Sequence, residues 1–183
     1  MGRRPKSQSD TNYFLTKENL IKSGVATLTE KGFSSAGLDE ILSKIGVPKG
    51  SFNYYFKNKE EFVMEIIKRY NERFSNKLDF YLLDDDRTSK EGLIAFMEDA
   101  KNYIVKHDYK RGCLIGNLGQ ELNTLPPNIS FEVVRVFNNW ENKVAKCLEK
   151  AYVSGELKPN SEISFIANVF WSGWEGAVLK ARL

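Results

Sequence analysis

At 183 residues, 42% hydrophobic and 28% charged, the chain carries enough apolar side chain to bury a core, which excludes bulk disorder. No run approaches the roughly 18 apolar residues of a membrane span, and Met1-Gly2-Arg3-Arg4-Pro5-Lys6 leads into polar sequence, so a cytoplasmic protein is expected. The net charge of +3 is small but uneven: residues 1–60 carry ten Lys/Arg against six Asp/Glu, and the remainder is nearly neutral, as when one terminus meets a polyanion.

Apolar spacing of three and four dominates and nothing alternates, so the expected fold class is all-α. Leu20, Ile21, Val25 and Leu28 stripe a first helix, closed by Lys31-Gly32 as a basic last turn and a C′ glycine. Leu38, Ile41, Leu42 and Ile45 make a second helix of barely two turns before Gly46, with Ser34 or Ser35 as its cap. Pro48 suits the first turn of another short helix carrying Phe52, Tyr55 and Phe56. Asn58 then caps a long helix through Phe62, Val63, Ile66, Ile67, Tyr70 and Phe74 to about Leu83.

Asp84-Asp85-Asp86 reads as a solvated linker in preference to a divalent-metal site. Thr88-Ser89-Lys90-Glu91 is a capping box opening a helix through Leu93, Phe96, Met97, Ala100 and Ile104. Past Gly112, a shorter helix with Leu114, Ile115, Leu118 and Leu122 ends before Pro126-Pro127, and a long one holds Val133, Val134, Phe137, Trp140, Val144 and Leu148 until Gly155. Ser161 is the expected cap of a last helix, whose Ile163, Ile166, Phe170, Trp171, Trp174, Ala177 and Val178 want partners on several sides.

Leu38 to Lys59 carries the chemistry. Two short helices joined at Gly46-Val47-Pro48 suit poorly as core and well as a probe of a groove about 12 Å wide. The second presents Lys49, Ser51, Asn53 and Tyr54 outward while Phe52 and Phe56 point inward, and Lys57 and Lys59 stand within reach of phosphate at the start of the next helix.

With Gly32-Phe33 before the short helix and Gly46-Val47-Pro48-Lys49-Gly50-Ser51-Phe52-Asn53-Tyr54-Tyr55-Phe56-Lys57-Asn58-Lys59-Glu60 after it, the chain resembles the TetR family of bacterial one-component regulators. That resemblance implies a basic arm over residues 1–9, a helix-turn-helix DNA-binding domain over 10–58, and an effector-binding and dimerisation domain over 59–183. It implies a homodimer on palindromic double-stranded operator DNA, a repressor released by a small-molecule or electrophile signal. Gly50 belongs to the motif, and Tyr55 and Lys59 take phosphate-contact positions from it. Two departures stand out: Ala36-Gly37 replaces the family's usual Thr pair, and Asn53 its usual aromatic. Arg3 and Arg4 belong either to an arm that enters the minor groove or to a disordered basic start. The family usually adds one more helix after the segment 174–182, so the last helix here is expected to be partly uncovered. The competing reading is a helical small-molecule or redox sensor that no longer binds DNA.

Tyr103, Phe137, Trp140, Phe170, Trp171 and Trp174, at helical spacing, either line an effector pocket or fill the core; Asn117 is a further effector candidate. Cys113 follows Lys110-Arg111-Gly112 at a helix N-terminus, a setting that favours thiolate, and Arg111-Gly112-Cys113-Leu114 with Trp174-Glu175-Gly176-Ala177 is similar to a branch of the family in which some members answer electrophiles. The other reading of Cys113 is a buried, inert thiol; Cys147 is structural. His107, the sole histidine, is expected to cap its helix as a cation, and neither a nucleophile elbow nor a dinucleotide fingerprint accompanies it. No enzyme activity, metal or cofactor is expected.

Overall fold

The computed structural model describes residues 8–183, with side chains from residue 11 onward. Arg3 and Arg4 lie outside the described residues. Among the described residues the regular structure is entirely helical: α1 (Gln8–Lys31), α2 (Leu38–Ser43), α3 (Phe52–Tyr55), α4 (Lys59–Leu82), α5 (Ser89–Lys106), α6 (Leu114–Gln120), α7 (Pro127–Val153) and α8 (Ile163–Lys180). A 3-10 turn, Lys49–Ser51, leads into α3, and another, Leu122–Thr124, follows α6.

Local chemistry sets most boundaries. Gly32 adopts φ +76°, a left-handed conformation natural to glycine, and its N–H donates to the Leu28 carbonyl at 3.0 Å, ending α1. The Asn58 side chain accepts from Glu61 N at 2.8 Å, a cap worth about 1 kcal/mol. Thr88 and Glu91 exchange both hydrogen bonds of a capping box ahead of α5.

Three caps differ from expectation. Gly37 stands at the N-cap of α2 without a side-chain bond, because Ser34 is turned toward Glu121 instead. Pro48 keeps φ −61° but ψ 142°, so it precedes the first turn, and the chain winds as 3-10 before becoming α3. Ser161 donates back to the Lys158 carbonyl at 2.8 Å, leaving α8 without a side-chain cap.

α1 and α4 cross closely at Gly24, where a Cβ would strike Ile66 and Phe62. Leu20, Leu28, Leu42, Phe56, Phe62 and Ile66 are fully buried around this crossing, each large apolar side chain contributing about 1.5–3 kcal/mol. From there α4 runs on to pack against α5 and α7, and α7 packs against α6 and α8. An aromatic cluster fills that second region: Phe74 lies 4.2 Å from Trp140 between ring centroids, and Trp140 lies 5.6 Å from Trp171. The buried Trp140 N–H is satisfied by Asn71 Oδ1 at 2.8 Å.

Asp85 pairs with Lys150 and Asp84 with Arg87, tying the acidic loop to α7 and to itself. α8 buries Ala167, Trp171 and Val178 but leaves Phe165, Val169 and Leu179 exposed. No helix among the described residues is long and apolar enough to cross a membrane.

Candidate nucleic-acid interface and adjoining pocket

α3 is too short to hold itself, and its orientation comes from its anchors. Phe52 packs edge-on to Phe62 at 5.6 Å and Phe56 lies 4.8 Å from the same ring, so one side of α3 is rooted in the crossing of α1 and α4. The opposite side is open: Lys49, Gly50, Asn53, Tyr54 and Lys57 are exposed, while Ser51 and Tyr55 are half-buried. At Gly50 a Cβ would meet nothing within 4 Å, so the backbone itself can be approached.

Tyr54 is 70% exposed, which is unusual for so large an aromatic side chain. Its ring is edge-on to Tyr13 and to Tyr55, each at 5.2 Å, and Tyr13 stacks on Tyr55 at 5.3 Å. Two tyrosines thus brace a third that points outward. Lys49 pairs with Asp39 at 2.9 Å, but both side chains are largely exposed. Such a surface pair is worth about 0–1 kcal/mol, so the ammonium can exchange Asp39 for a phosphate at little cost.

Lys59 is placed otherwise than the motif implied. Its ammonium donates to the Phe33 and Ala36 carbonyls at 3.3 and 3.2 Å and sits 4.3 Å from the Phe33 ring centroid. Those carbonyls lie in the loop after α1, without helical partners, and Lys59 satisfies them instead of standing free. The first turn of α4 is likewise engaged, since Glu61 accepts the Lys57 N–H at 2.8 Å. Ala36 is buried, and the exposed Gly37 offers no side chain.

Behind this surface lies a cavity of about 760 Å³ between α1, α4, α5, α8 and the approach to α6. Its wall is largely apolar, including Ile21, Val25, Tyr70, Phe74, Ile104 and Trp174. Charged lining comes from Lys22, Arg69, Arg73, Lys77 and Arg111 against Glu18 and Glu72. Of the effector candidates, Tyr103, Cys113 and Trp174 line it. Phe137, Trp140 and Trp171 do not; Trp140 and Trp171 are core, and Phe137 packs 6.1 Å from Trp140. Asn117 also faces elsewhere, its amide donating to the Leu28 and Thr29 carbonyls at 3.2 and 2.8 Å.

Cys113 does cap α6, with Sγ accepting from Gly116 N at 3.3 Å, yet the thiolate-favouring environment is absent. Lys110 pairs with Asp108 and Arg111 with Glu30, so both cations are engaged elsewhere. Burial, and then the Glu175 carboxyl beside it, push the Cys113 thiol well above its ordinary range. Burial likewise raises Glu175 to about 7. Cys147 is buried against Ser89, at 3.8 Å from its carbonyl. His107 is the C-cap residue of α5 through its backbone N–H, which donates to the Ile104 carbonyl at 3.1 Å. Its ring packs 4.5 Å from Tyr103, and desolvation, then Arg111 and Lys106, lower its pKa, so the expected cationic side-chain cap is not formed.

Comparison with known proteins matches two stretches of the chain. Residues 20–66 match the family described as bacterial regulatory proteins, tetR family, and residues 89–183 match the tetracyclin repressor-like C-terminal domain. The chain belongs to the TetR family. The transcriptional regulator AcuR of Cereibacter sphaeroides is 39% identical over 180 residues, covering 98% of this chain and 81% of that protein. The crystal structure of a TetR regulatory protein from Rhodobacter sphaeroides superposes with a TM-score of 0.88 at 40% identity, covering 92% of this chain and 89% of the other. The Escherichia coli K12 repressor NemR is 27% identical over 174 residues, covering 92% of this chain and 84% of its own length. As a TetR-family member the protein is a helix-turn-helix transcriptional regulator.

Within that family frame, sequence reasoning missed Tyr13, Glu121, Glu175 and Arg182. Only Tyr13 left a trace, as the first residue of the apolar run Tyr13-Phe14-Leu15 in α1; the others act through contacts with residues far away in the chain.

Proposed function

We propose that this TetR-family protein is a repressor that grips a palindromic operator as a homodimer and lets go when a small molecule fills the cavity. Lys49, Gly50, Ser51, Asn53, Tyr54 and Lys57 form the DNA-facing surface, with Tyr55 as the brace behind Tyr54. The observation that carries this reading is the outward, braced Tyr54 on an α3 rooted by Phe52 and Phe56. Rigid presentation of a few side chains from a short helix is what entry into a major groove requires.

Dimerisation is assigned to the exposed face of α8 with α7. Phe165, Val169 and Leu179 leave apolar surface there, and Gly173 and Gly176 have open space where a side chain would stand, so a second helix can come close. The effector is a largely apolar molecule with an anionic end. Apolar lining supports the body, and Lys22 and Arg73, which pair with no carboxylate among the described residues, support the charge. The neutral, buried Cys113 favours reversible occupancy over capture of an electrophile.

Selection of genomic fragments by the purified protein, followed by binding titrations on the recovered duplexes, tests this reading. Recovered palindromes whose half-sites lie about one helical turn apart support it. Failure to enrich any duplex would overturn it in favour of a sensor without DNA contact.

A further inference from the structure

The seven-residue α6 joins two regions through its ends. Cys113, its N-cap, lines the cavity. Glu121, its C-cap, reaches across the chain to the loop between α1 and α2. There its carboxylate accepts from Phe33 N and Ser34 N, each at 2.8 Å, and from Ser34 Oγ at 2.5 Å.

This is an anion nest: a left-handed residue, Gly32, turns the following N–H groups to one side, and a carboxylate fills the hollow. Charge-assisted bonds of this kind are roughly twice as strong as neutral ones. Gly32 is fixed twice over, by its φ of +76° and because a Cβ there would collide with Glu121 Oε1. Lys59 holds the same loop from the side of α4, through the Phe33 and Ala36 carbonyls. The loop therefore leaves α1 between two opposite charges, one from α6 and one from α4, and runs straight into the reading helices. Asn117 and Gly112, by contrast, hold only the carbonyls of the last turns of α1.

We propose that Glu121 is a positioning residue that sets the angle at which α2 and α3 leave α1, and with it the half-site spacing that the DNA-binding surfaces of a dimer accept. The inference rests on operator binding as proposed above. It predicts a property that simple structural support would not: Glu121 governs which half-site spacing the dimer accepts, separately from how tightly each half-site is held.

The test uses full-length protein and duplexes built from half-sites that the wild type selects, moved closer or farther apart by single base pairs. Wild type prefers one spacing by about tenfold or more. Glu121→Ala and the near-isosteric Glu121→Gln, which carries the test if the alanine variant does not fold, flatten that preference to about twofold while the folded variants hold a single half-site about as tightly as wild type does. Hydrogen exchange at Phe33 and Ser34 quickens in the same variants. If folded Glu121→Gln keeps the wild-type spacing profile, the inference is overturned and operator binding stands. If wild type itself binds no duplex, operator binding fails and the inference falls with it.

Discussion

Arg182, just beyond α8, donates from Nη1 to Asn117 Oδ1 at 2.9 Å and from Nη2 to the Glu30 carbonyl at 2.7 Å. Asn117 in turn holds the Leu28 and Thr29 carbonyls, so three carbonyls at the end of α1 are held by α6 and the segment after α8. These acceptors lie in the last turn of α1, where intrahelical donors run out, although Leu28 also accepts from Gly32 N at 3.0 Å. Arg182→Ala leaves one carbonyl and one amide oxygen partly buried without a donor, and is expected to cost about 2 kcal/mol in urea unfolding. Arg182→Lys, which keeps the charge but loses the fork, should recover only part of that loss.

Glu175 makes stability depend on pH in a particular direction. Its folded pKa of about 7 lies above the ordinary 4.5, so the folded chain keeps a proton that the unfolded chain releases. Between those values stability falls as pH rises, and above about 7 the full penalty, at most about 3 kcal/mol, is in place. Glu175→Gln is expected to flatten the profile and to exceed wild type in stability near pH 8, with the two converging near pH 4. Chemical unfolding across this range checks it; parallel profiles would contradict the assignment. The same substitution removes one cause of the raised Cys113 thiol and should speed its alkylation by iodoacetamide.

The exposed row on α8 predicts the effect of charge at the proposed dimer face. Val169 is half exposed and sits one turn from Phe165. Val169→Arg is therefore expected to leave helix content unchanged while shifting sedimentation from dimer toward monomer. Operator affinity should fall by about 100-fold as the two half-sites lose their linkage. An unchanged sedimentation coefficient would move the interface elsewhere.

Helix order and the anchoring of the reading unit were legible because they rest on local signals: the Leu38, Ile41, Leu42 stripe, the Asn58 cap, the Thr88 capping box and the Gly32 stop all act within a turn or two. What escaped depends on distance in sequence. Ser34 has the chemistry of a cap, but Glu121, 87 residues later, claims its N–H. Lys59 has the position of a phosphate ligand, but two loop carbonyls reach it first. Cys113 has cations beside it in sequence, yet Asp108 and Glu30 take them and Glu175 replaces them. The tryptophans of α7 and α8 share a helical period, which distinguishes inside from outside but not core from cavity. Only Trp174 ends against the cavity.

Operator recognition by the exposed side of α3 is tested most directly by a salt titration on a duplex that the protein itself selects, comparing wild type with a Lys49→Ala/Tyr54→Ala double variant. Both side chains are exposed, so the variant should fold as wild type does. Wild type is predicted to give a steep linear fall of log affinity with log salt, at a slope of about −0.9 per neutralised phosphate. The double variant should bind at least about 100-fold more weakly with a shallower slope, since one phosphate-reaching cation and one groove-facing ring are gone. Affinity and slope indistinguishable from wild type would contradict the assignment of this surface to DNA.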